Sequence, residues 1–400
     1  MNAPRLPEKI RQVQVNTFDI LTGQLTQPGQ HLFVYNQDTP WVSLTMDPGQ
    51  QRQYPHGALH PAFAQNLPEG YVRHYLFERL RRQIQLNDLY LLALQGEKGV
   101  GHLSYGSDIP AVAAAPVSLD EILQWRGASP LFEELLDRYY LNGLISGVQP
   151  KVMVPIVDKI AIQQEDVIVK TFDPEYDLLT VNEFVCMSAA RAVGLNPPDF
   201  WLSQDLKSFV VRRFDRTPDG ECLAQEDFTV LMGKGANDKY HSSYEQVLKV
   251  VDVYTRSPEE VERAFRLVAF NILIGNGDAH LKNFSLQYRQ DRSNIVLAPP
   301  YDITHTLVYP RLDRTLALKI SKSKQFPPRA VIERLGLAVG IKHPGQILEA
   351  YADLLTDFLQ ASQEVALLDG LRESIEDNLS GIMQRTGVVV PARDRQKKHT

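Results

Sequence analysis

The sequence predicts an α+β fold of two lobes behind a further small α+β unit, and three observations carry that reading. Short β-like runs broken by Pro and Gly occupy the first hundred residues or so; a β-branched run (Val167, Ile168, Val169) ends on Lys170; and helical periodicity dominates from Tyr244 onward, interrupted by a polar loop. At 400 residues, a prior of ~150 residues per domain gives two or three units. We place them at 1–110, 111–235 and 236–400, with the first boundary in the Ala- and Pro-rich link Ala111 to Val117.

Composition excludes several classes. With 44% hydrophobic and 22% charged residues the chain reads as an ordinary globular protein, and a net charge of -6 gives no overall basic surplus for nucleic acid. Basic clusters at Arg79 to Arg82 and Arg393 to Lys398 read as solvated faces or tails. Two cysteines, Cys186 and Cys222, offer neither a disulfide framework nor metal-ligand spacing, which fits a reducing cytoplasm. The N-terminus lacks an apolar core of signal-peptide length and no run reaches the ~18 apolar residues of a membrane span, so a soluble, cytoplasmic protein is expected.

In chain order, Val13 to Phe18, Leu32 to Tyr35 and Trp41 to Met46 read as strands. A helix is expected from Gly70 to Gln83, entered through NLPEG, Asn66 to Gly70, with Pro68 and Glu69 in its first turn. Ser118 and Glu121 form a capping box, and Leu131 to Leu141 has helical spacing. Gly143 and Gly147 bracket a turn before a β-rich run. Two such glycines ordinarily mark a hairpin, but followed some twenty residues later by a strand lysine they also suit a loop lying over phosphates. Leu178 to Leu195 reads as a helix carrying Glu183, which either pairs with Lys170 or faces solvent. Phe209 to Arg213 reads as a strand leading into a hinge at Phe214. Beyond it, helices are expected near Val261 to Ile274, Arg329 to Val339, Gln346 to Gln360 and Glu364 to Gln384, with a short strand at Ile295 to Leu297.

The polar loop carries the chemistry. In ILIGNGDAHLKNFSL, Ile272 to Leu286, an apolar run ends at Gly275, and Asp278 then precedes Asn283 by five positions with His280 and Lys282 between. Alone, an Asp-x4-Asn is a capped turn. Phosphoryl transfer from a nucleotide, however, needs an Asp to accept a hydroxyl proton and an Asn a few residues on to hold a metal against phosphates. Asp302 follows a short strand about twenty residues later, where a second metal-binding carboxylate belongs, and Lys170 ends a strand upstream, where an amine meets phosphates. Strand Lys, hinge-like strand, Asp-x4-Asn and strand-Asp in that order point to a phosphotransferase.

SGVQPK (Ser146 to Lys151), VIVK (Val167 to Lys170), NEFVCMSAARAVGL (Asn182 to Leu195), VRRFDR (Val211 to Arg216), QEDF (Gln225 to Phe228), GDAHLKNFSL (Gly277 to Leu286) and PYDI (Pro300 to Ile303), with NLPEG upstream, together resemble the HipA family of toxin serine/threonine kinases. The resemblance covers nearly the whole chain. It implies a two-lobed protein-kinase-like fold with an extra N-terminal subdomain and a mostly helical C-terminal lobe, which clasps ATP and Mg2+. It also implies phosphorylation of an aminoacyl-tRNA synthetase, and a helix-turn-helix antitoxin, HipB-like, through which DNA is contacted. Carried over by position, Asp278 is the catalytic base, Asn283 and Asp302 bind Mg2+ and Lys170 holds phosphates. The nucleotide site further takes Ser146, Gly147, Val148, Gln149, Pro150 and Lys151 of the loop, Arg212, Arg213 and Phe214 of the hinge, and His280, Lys282 and Tyr301. Leu144 stands where related loops often carry a serine, leaving Ser146 as the candidate autophosphorylation site, and Arg212 replaces a common acidic hinge residue. A small-molecule phosphotransferase of the aminoglycoside or choline kinase kind and a catalytically idle corepressor are the competing readings.

Overall fold

The computed structural model of the chain describes residues 6–68, 70–81, 84–96, 99–109, 116–127, 131–135, 151–157, 164–171 and 176–384. Its first unit is an antiparallel sheet of β1 (Gln12–Thr17), β2 (Ile20–Thr26), β3 (His31–Tyr35), β4 (Gln53–His56) and β5 (Leu103–Gly106) in the order β4-β3-β2-β1-β5. The β1–β2 turn uses Phe18 and Asp19, both at positive φ (49° and 62°), the geometry of a tight hairpin without the Asn-Gly pair that usually announces one. Helices α1 (Pro61–Ala64), α2 (Gly70–Leu80) and α3 (Asp88–Gln95) cover the sheet. Helix α2 begins at Gly70, so Pro68 precedes it instead of sitting in its first turn; Glu69 lies outside the described residues. Trp41 to Met46 is not a strand. Its backbone is met by side chains: the Tyr35 hydroxyl receives the Val42 N–H (2.8 Å) and donates to the Met46 carbonyl (2.8 Å), and Glu226 receives the Leu44 N–H (2.8 Å).

After α4 (Leu119–Leu123), capped by Ser118 accepting the Glu121 N–H, and α5 (Leu131–Leu135), a second antiparallel sheet forms in the order β6-β7-β9-β8. Its strands are β6 (Lys151–Val157), β7 (Gln164–Lys170), β8 (Phe200–Leu202) and β9 (Phe209–Arg212), with α6 (Leu179–Ala192) between β7 and β8. Alternation along the strands gives the sheet two occupied faces. Val167, Val169 and Val210 join the buried core of the first unit, while Phe209 and Val211 join a second core shared with α6 and the C-terminal helices. Lys170, one step past Val169, therefore projects to the α6 side, opposite Phe209 in register. The glycine-containing loop (Ser146, Gly147, Val148, Gln149, Pro150) and the side chain of Lys151 lie outside the described residues; the Lys151 backbone pairs with Lys170.

The rest is mostly helical. A small sheet, β10 (Ala224–Asp227), β11 (Ser285–Tyr288) and β12 (Val296–Leu297), is followed or flanked by α7 (Phe228–Leu231), α8 (Tyr244–Thr255), α9 (Pro258–Leu273), α10 (Arg329–Ala338), α11 (Pro344–Ala361) and α12 (Leu371–Gln384). Eleven of the sixteen residues of α9 are buried, so the polar loop that follows it starts from a fixed point. The single helix expected over Glu364 to Gln384 is broken: a short 3-10 turn ends at Leu367, and α12 starts after Gly370, which takes φ 75°. No described helix is long and apolar enough to cross a membrane.

Candidate active site

Three elements converge on one ammonium. Lys170 Nζ donates to Glu183 Oε1 of α6 at 2.5 Å and to Asp302 Oδ1 at 2.6 Å, and Asn283 Nδ2 donates to Asp302 Oδ2 at 2.7 Å. Burial alone would lower the Lys170 ammonium, but the Asp302 and Glu183 carboxylates hold it protonated above the usual lysine range. Glu183 is thus the buried partner of the strand lysine, the first of its two sequence readings. Asp302 has φ 61°, a left-handed backbone for a residue that is not glycine, and strain of that kind collects where geometry serves a ligand.

Asp278 lies on the loop between α9 and β11. Buried side chains shape that loop: Asn276 Oδ1 accepts the Asp278 N–H (3.0 Å), Asn276 Nδ2 donates to Asn271 Oδ1 (2.7 Å), and Thr306 Oγ1 accepts the Gly277 N–H (2.9 Å). Gly275, at φ 81°, could carry no side chain, since a Cβ there would sit 2.6 Å from His305 Nδ1. Asp278 opens onto solvent on one side. The protein packed around its other sides disfavours the charge and pushes the carboxyl up to about 6; Asp302 adds to this, while the Tyr240 hydroxyl, donating at 3.0 Å, and Lys239 oppose it.

His280, two positions on, is buried and neutral. Burial, and secondarily Lys239, pushes its ring down to about 3, and its Nδ1 has no hydrogen-bond partner among the described residues. The other expected site residues divide. Tyr301 lies against Phe214 (ring centroids 5.3 Å apart) and donates to the Lys282 carbonyl (2.8 Å). The Phe214 carbonyl is occupied by Gln287 Nε2 (2.8 Å). The Arg213 guanidinium turns away from the cleft, holding Asp215 (2.6 Å) and the Gly99 carbonyl (2.7 Å) of the first unit; Arg212 extends toward Asp199 (3.4 Å).

Sequence reasoning missed the residues that hold these groups in place. Asn182, the neighbour of Glu183, grips the His305 backbone at both ends, Nδ2 to O (2.8 Å) and Oδ1 from N (2.7 Å), tying α6 to the chain three residues past Asp302. His305 in turn meets the Ile274 carbonyl (2.6 Å) and Ser374 (2.7 Å). The only sequence signal was the run Asn182-Glu183 itself. Tyr240 carried none.

The donor set fits a hard cation. Mg2+ commonly takes one or two carboxylates and completes its shell with phosphate oxygens and water. Asp302 and Asn283 stand side by side, and the Asn283 Oδ1, which accepts the His280 N–H (3.1 Å), keeps a second lone pair. No group of three or more His, Cys, Asp or Glu converges for a metal among the described residues, so an ion here would draw further oxygens from a bound phosphate.

Residues 143–366 match the model of the HipA-like C-terminal domain, and residues 13–106 match the HipA N-terminal domain. A Sinorhizobium fredii protein named as a kinase, Y4dM, is 31% identical over 339 residues, 75% of this chain and 78% of its own. The Shewanella oneidensis serine/threonine-protein kinase toxin HipA is 26% identical over 299 residues, 66% of each. In the solved complex of the Shewanella oneidensis MR-1 toxin-antitoxin system HipA, HipB and its operator DNA, one chain superposes with a TM-score of 0.68 at 18% identity, covering 92% of this chain and 97% of that one. Matched over more than half its length by these models, the chain belongs to the HipA family and has its α+β, kinase-like fold.

Proposed function

We propose that the protein is an ATP- and Mg2+-dependent serine/threonine protein kinase, the toxin of a toxin-antitoxin pair. The observation that carries the reading is the Glu183–Lys170–Asp302–Asn283 chain of contacts, with Asp278 on the same loop as Asn283. Structural ion pairs rarely place a buried lysine between two carboxylates, one of them on a strained backbone, beside an open aspartate; phosphoryl transfer needs that set. In this reading Lys170, oriented by Glu183, receives nucleotide phosphates, and Asn283 and Asp302 hold Mg2+, which would neutralise charge on the phosphate oxygens. Asp278 takes the proton from the acceptor hydroxyl as its oxygen bonds the γ-phosphorus; the bond to the β,γ-bridging oxygen breaks and ADP leaves. Tyr301 and Phe214 wall the cleft on the side of the hinge. An aminoacyl-tRNA synthetase is the first acceptor to try, on the family resemblance. The complex that this chain's fold matches contains HipB and operator DNA, which supports a helix-turn-helix partner that makes the DNA contacts.

The test is transfer from labelled ATP to proteins of a cell lysate, with Asp278→Asn as control. Loss of a positioned base costs ~10²- to 10⁴-fold. We expect labelling of one or a few proteins by the wild type and a fall of that size in the variant at unchanged ATP affinity. Equal labelling by both would remove Asp278 from the mechanism.

A further inference from the structure

The acceptor side of Asp278 carries contacts that the nucleotide-side residues do not use. The Tyr240 hydroxyl lies 3.0 Å from Asp278 Oδ1, and the ring stands edge-on to His280 with centroids 5.2 Å apart, although Tyr240 is 36% exposed. A general base takes a proton from a hydroxyl within ~2.6 to 3.2 Å. The Tyr240 hydroxyl therefore stands where an acceptor hydroxyl has to stand.

Two ammoniums flank the same ring, Lys239 Nζ at 5.2 Å and Lys324 Nζ at 5.9 Å from its centroid. Lys324 is far off in sequence, and a built turn delivers it. Ile320 and Ser323 exchange both backbone hydrogen bonds (2.8 and 3.0 Å), with Ser321 at φ 47° and Lys322 at φ 69° between them. Two left-handed residues with no glycine are a strained pair, so the turn persists because its surroundings hold it. Those holds are visible. Glu245 accepts the Ser321 N–H (2.7 Å), and the Lys319 backbone pairs with Ser242 (3.1 Å) and Tyr244 (2.9 Å), directly after Tyr240. Lys319 and Lys322 are exposed on this turn. Two acids lie alongside, Glu245 on the Ser321 N–H and Asp238 against His241 (3.1 Å), fewer than the four lysines Lys239, Lys319, Lys322 and Lys324. A chain of net charge -6 has thus gathered lysines at the mouth of one aspartate.

We propose that this rim is the acceptor-docking site: an acidic protein segment is drawn to Lys239, Lys322 and Lys324, and its serine or threonine hydroxyl displaces the Tyr240 hydroxyl from Asp278. The proposal rests on Asp278 being the base. Tyr240 then keeps the base covered until an acceptor of the right charge arrives, and the lysines select that acceptor by complementarity, which acts mainly on encounter and is screened by salt.

The experiment uses the full chain with two probe acceptors, dephosphorylated casein, whose serines lie among acidic residues, and basic histone H1. Wild type, Tyr240→Phe and the double variant Lys239→Glu/Lys324→Glu are compared by kcat/KM for each acceptor and by ATP affinity from calorimetry. We expect the wild type to favour casein, a preference that shrinks with added salt, and the double variant to lose ~10-fold or more on casein with ATP affinity unchanged. Tyr240→Phe should lower the KM for casein, because its competitor for Asp278 is gone. Equal use of both acceptors, turnover on histone alone, a double variant whose ATP affinity falls while its casein KM stands still, or a raised KM in Tyr240→Phe would each overturn the docking site. Absence of any Asp278-dependent transfer from ATP would instead overturn the kinase reading beneath it.

Discussion

Two buried charge networks lie on either side of the hinge strand, and they are built to opposite ends. On the side of the first unit, Asp215 takes Arg213 Nε (2.9 Å) and Nη2 (2.6 Å) and the Gly101 N–H (2.6 Å), while Arg213 also donates to the Gly99 carbonyl (2.7 Å) and Arg216 to the Gly101 carbonyl (3.3 Å). Arg213 and Asp215 side chains are each 3% exposed. Glu226 closes a second patch of the same interface on Ser43 (2.5 Å), the Leu44 N–H and the Tyr288 hydroxyl. On the cleft side, the Asp302 side chain is 35% exposed, Asp278 opens to water and His280 Nδ1 is buried without a partner among the described residues. A network whose donors and acceptors all meet holds parts together, whereas one left open on one side is arranged to receive something.

The lock should break with the larger effect. Asp215→Ala leaves Arg213 buried against a lost carboxylate, and removing one partner of a buried pair costs ~3–5 kcal/mol. We expect the melting temperature to fall by several degrees and the first unit to become more open to protease. Gly101 lies at φ 78° with Gln225 N 3.1 Å from where its Cβ would be, so this docking has no slack to absorb the loss. A melting curve that matches wild type would mean that the lock contributes nothing net.

Asp302→Asn should behave the other way. Lys170 keeps Glu183, and the substituted amide stays near water, so the melting temperature should fall by less than in Asp215→Ala. What should fall is the Mg2+-dependent part of nucleotide affinity, since a carboxylate ligand is gone. Calorimetry with and without the metal separates the two; an equal loss in both would make Asp302 a structural partner of Lys170 only.

The contrast also marks what the sequence made legible. Lys170, Asp278, Asn283 and Asp302 could be found because each role demands one residue type and the pattern Asp-x4-Asn is local. Whether they meet was legible only through their order along the chain. Asn182 and His305, or Arg213 and Gly99, lie more than a hundred positions apart, and no local pattern pairs them. Arg213 shows the limit: VRRFDR reads as a hinge, but nothing local signals that the Arg213 guanidinium is committed to Asp215 and the Gly99 carbonyl of the first unit. Among the elements, β2 has no announced start, since Phe18 and Asp19 make its turn without an Asn-Gly pair, and the apolar alternation of Trp41 to Met46 reads as a strand although it serves docking on Glu226.

The smallest expected effect is a pH dependence that should touch one network and spare the other. Asp278 can act as a base only when ionised, and its carboxyl is pushed up to about 6. Raised pKa means that the protonated, inactive form takes over as pH falls through about 6, so kcat/KM for the acceptor should be level above about 7 and drop about tenfold per unit on the acid side. Asp215 moves in the other direction: burial would raise it, but Arg213 and Arg216 hold it below the usual carboxylate range. A depressed carboxyl contributes stability that is present above its unfolded value of about 3.9 and is lost only as pH falls below that toward its folded value. Between about pH 5 and 8 the lock should therefore keep its contribution constant. Activity and the difference in melting temperature between wild type and Asp215→Ala, measured at the same pH values, decide the matter. Activity should fall toward pH 5 while the difference stays constant, since the buried neutral His102, His280 and His305, whose rings burial pushes down, lower both melting curves alike once pH falls below the unfolded histidine value of about 6.5. If that difference shrank as activity fell, acid would be loosening the lock as well as protonating the base; an activity midpoint near pH 4 would show that Asp278 titrates like an ordinary surface carboxylate.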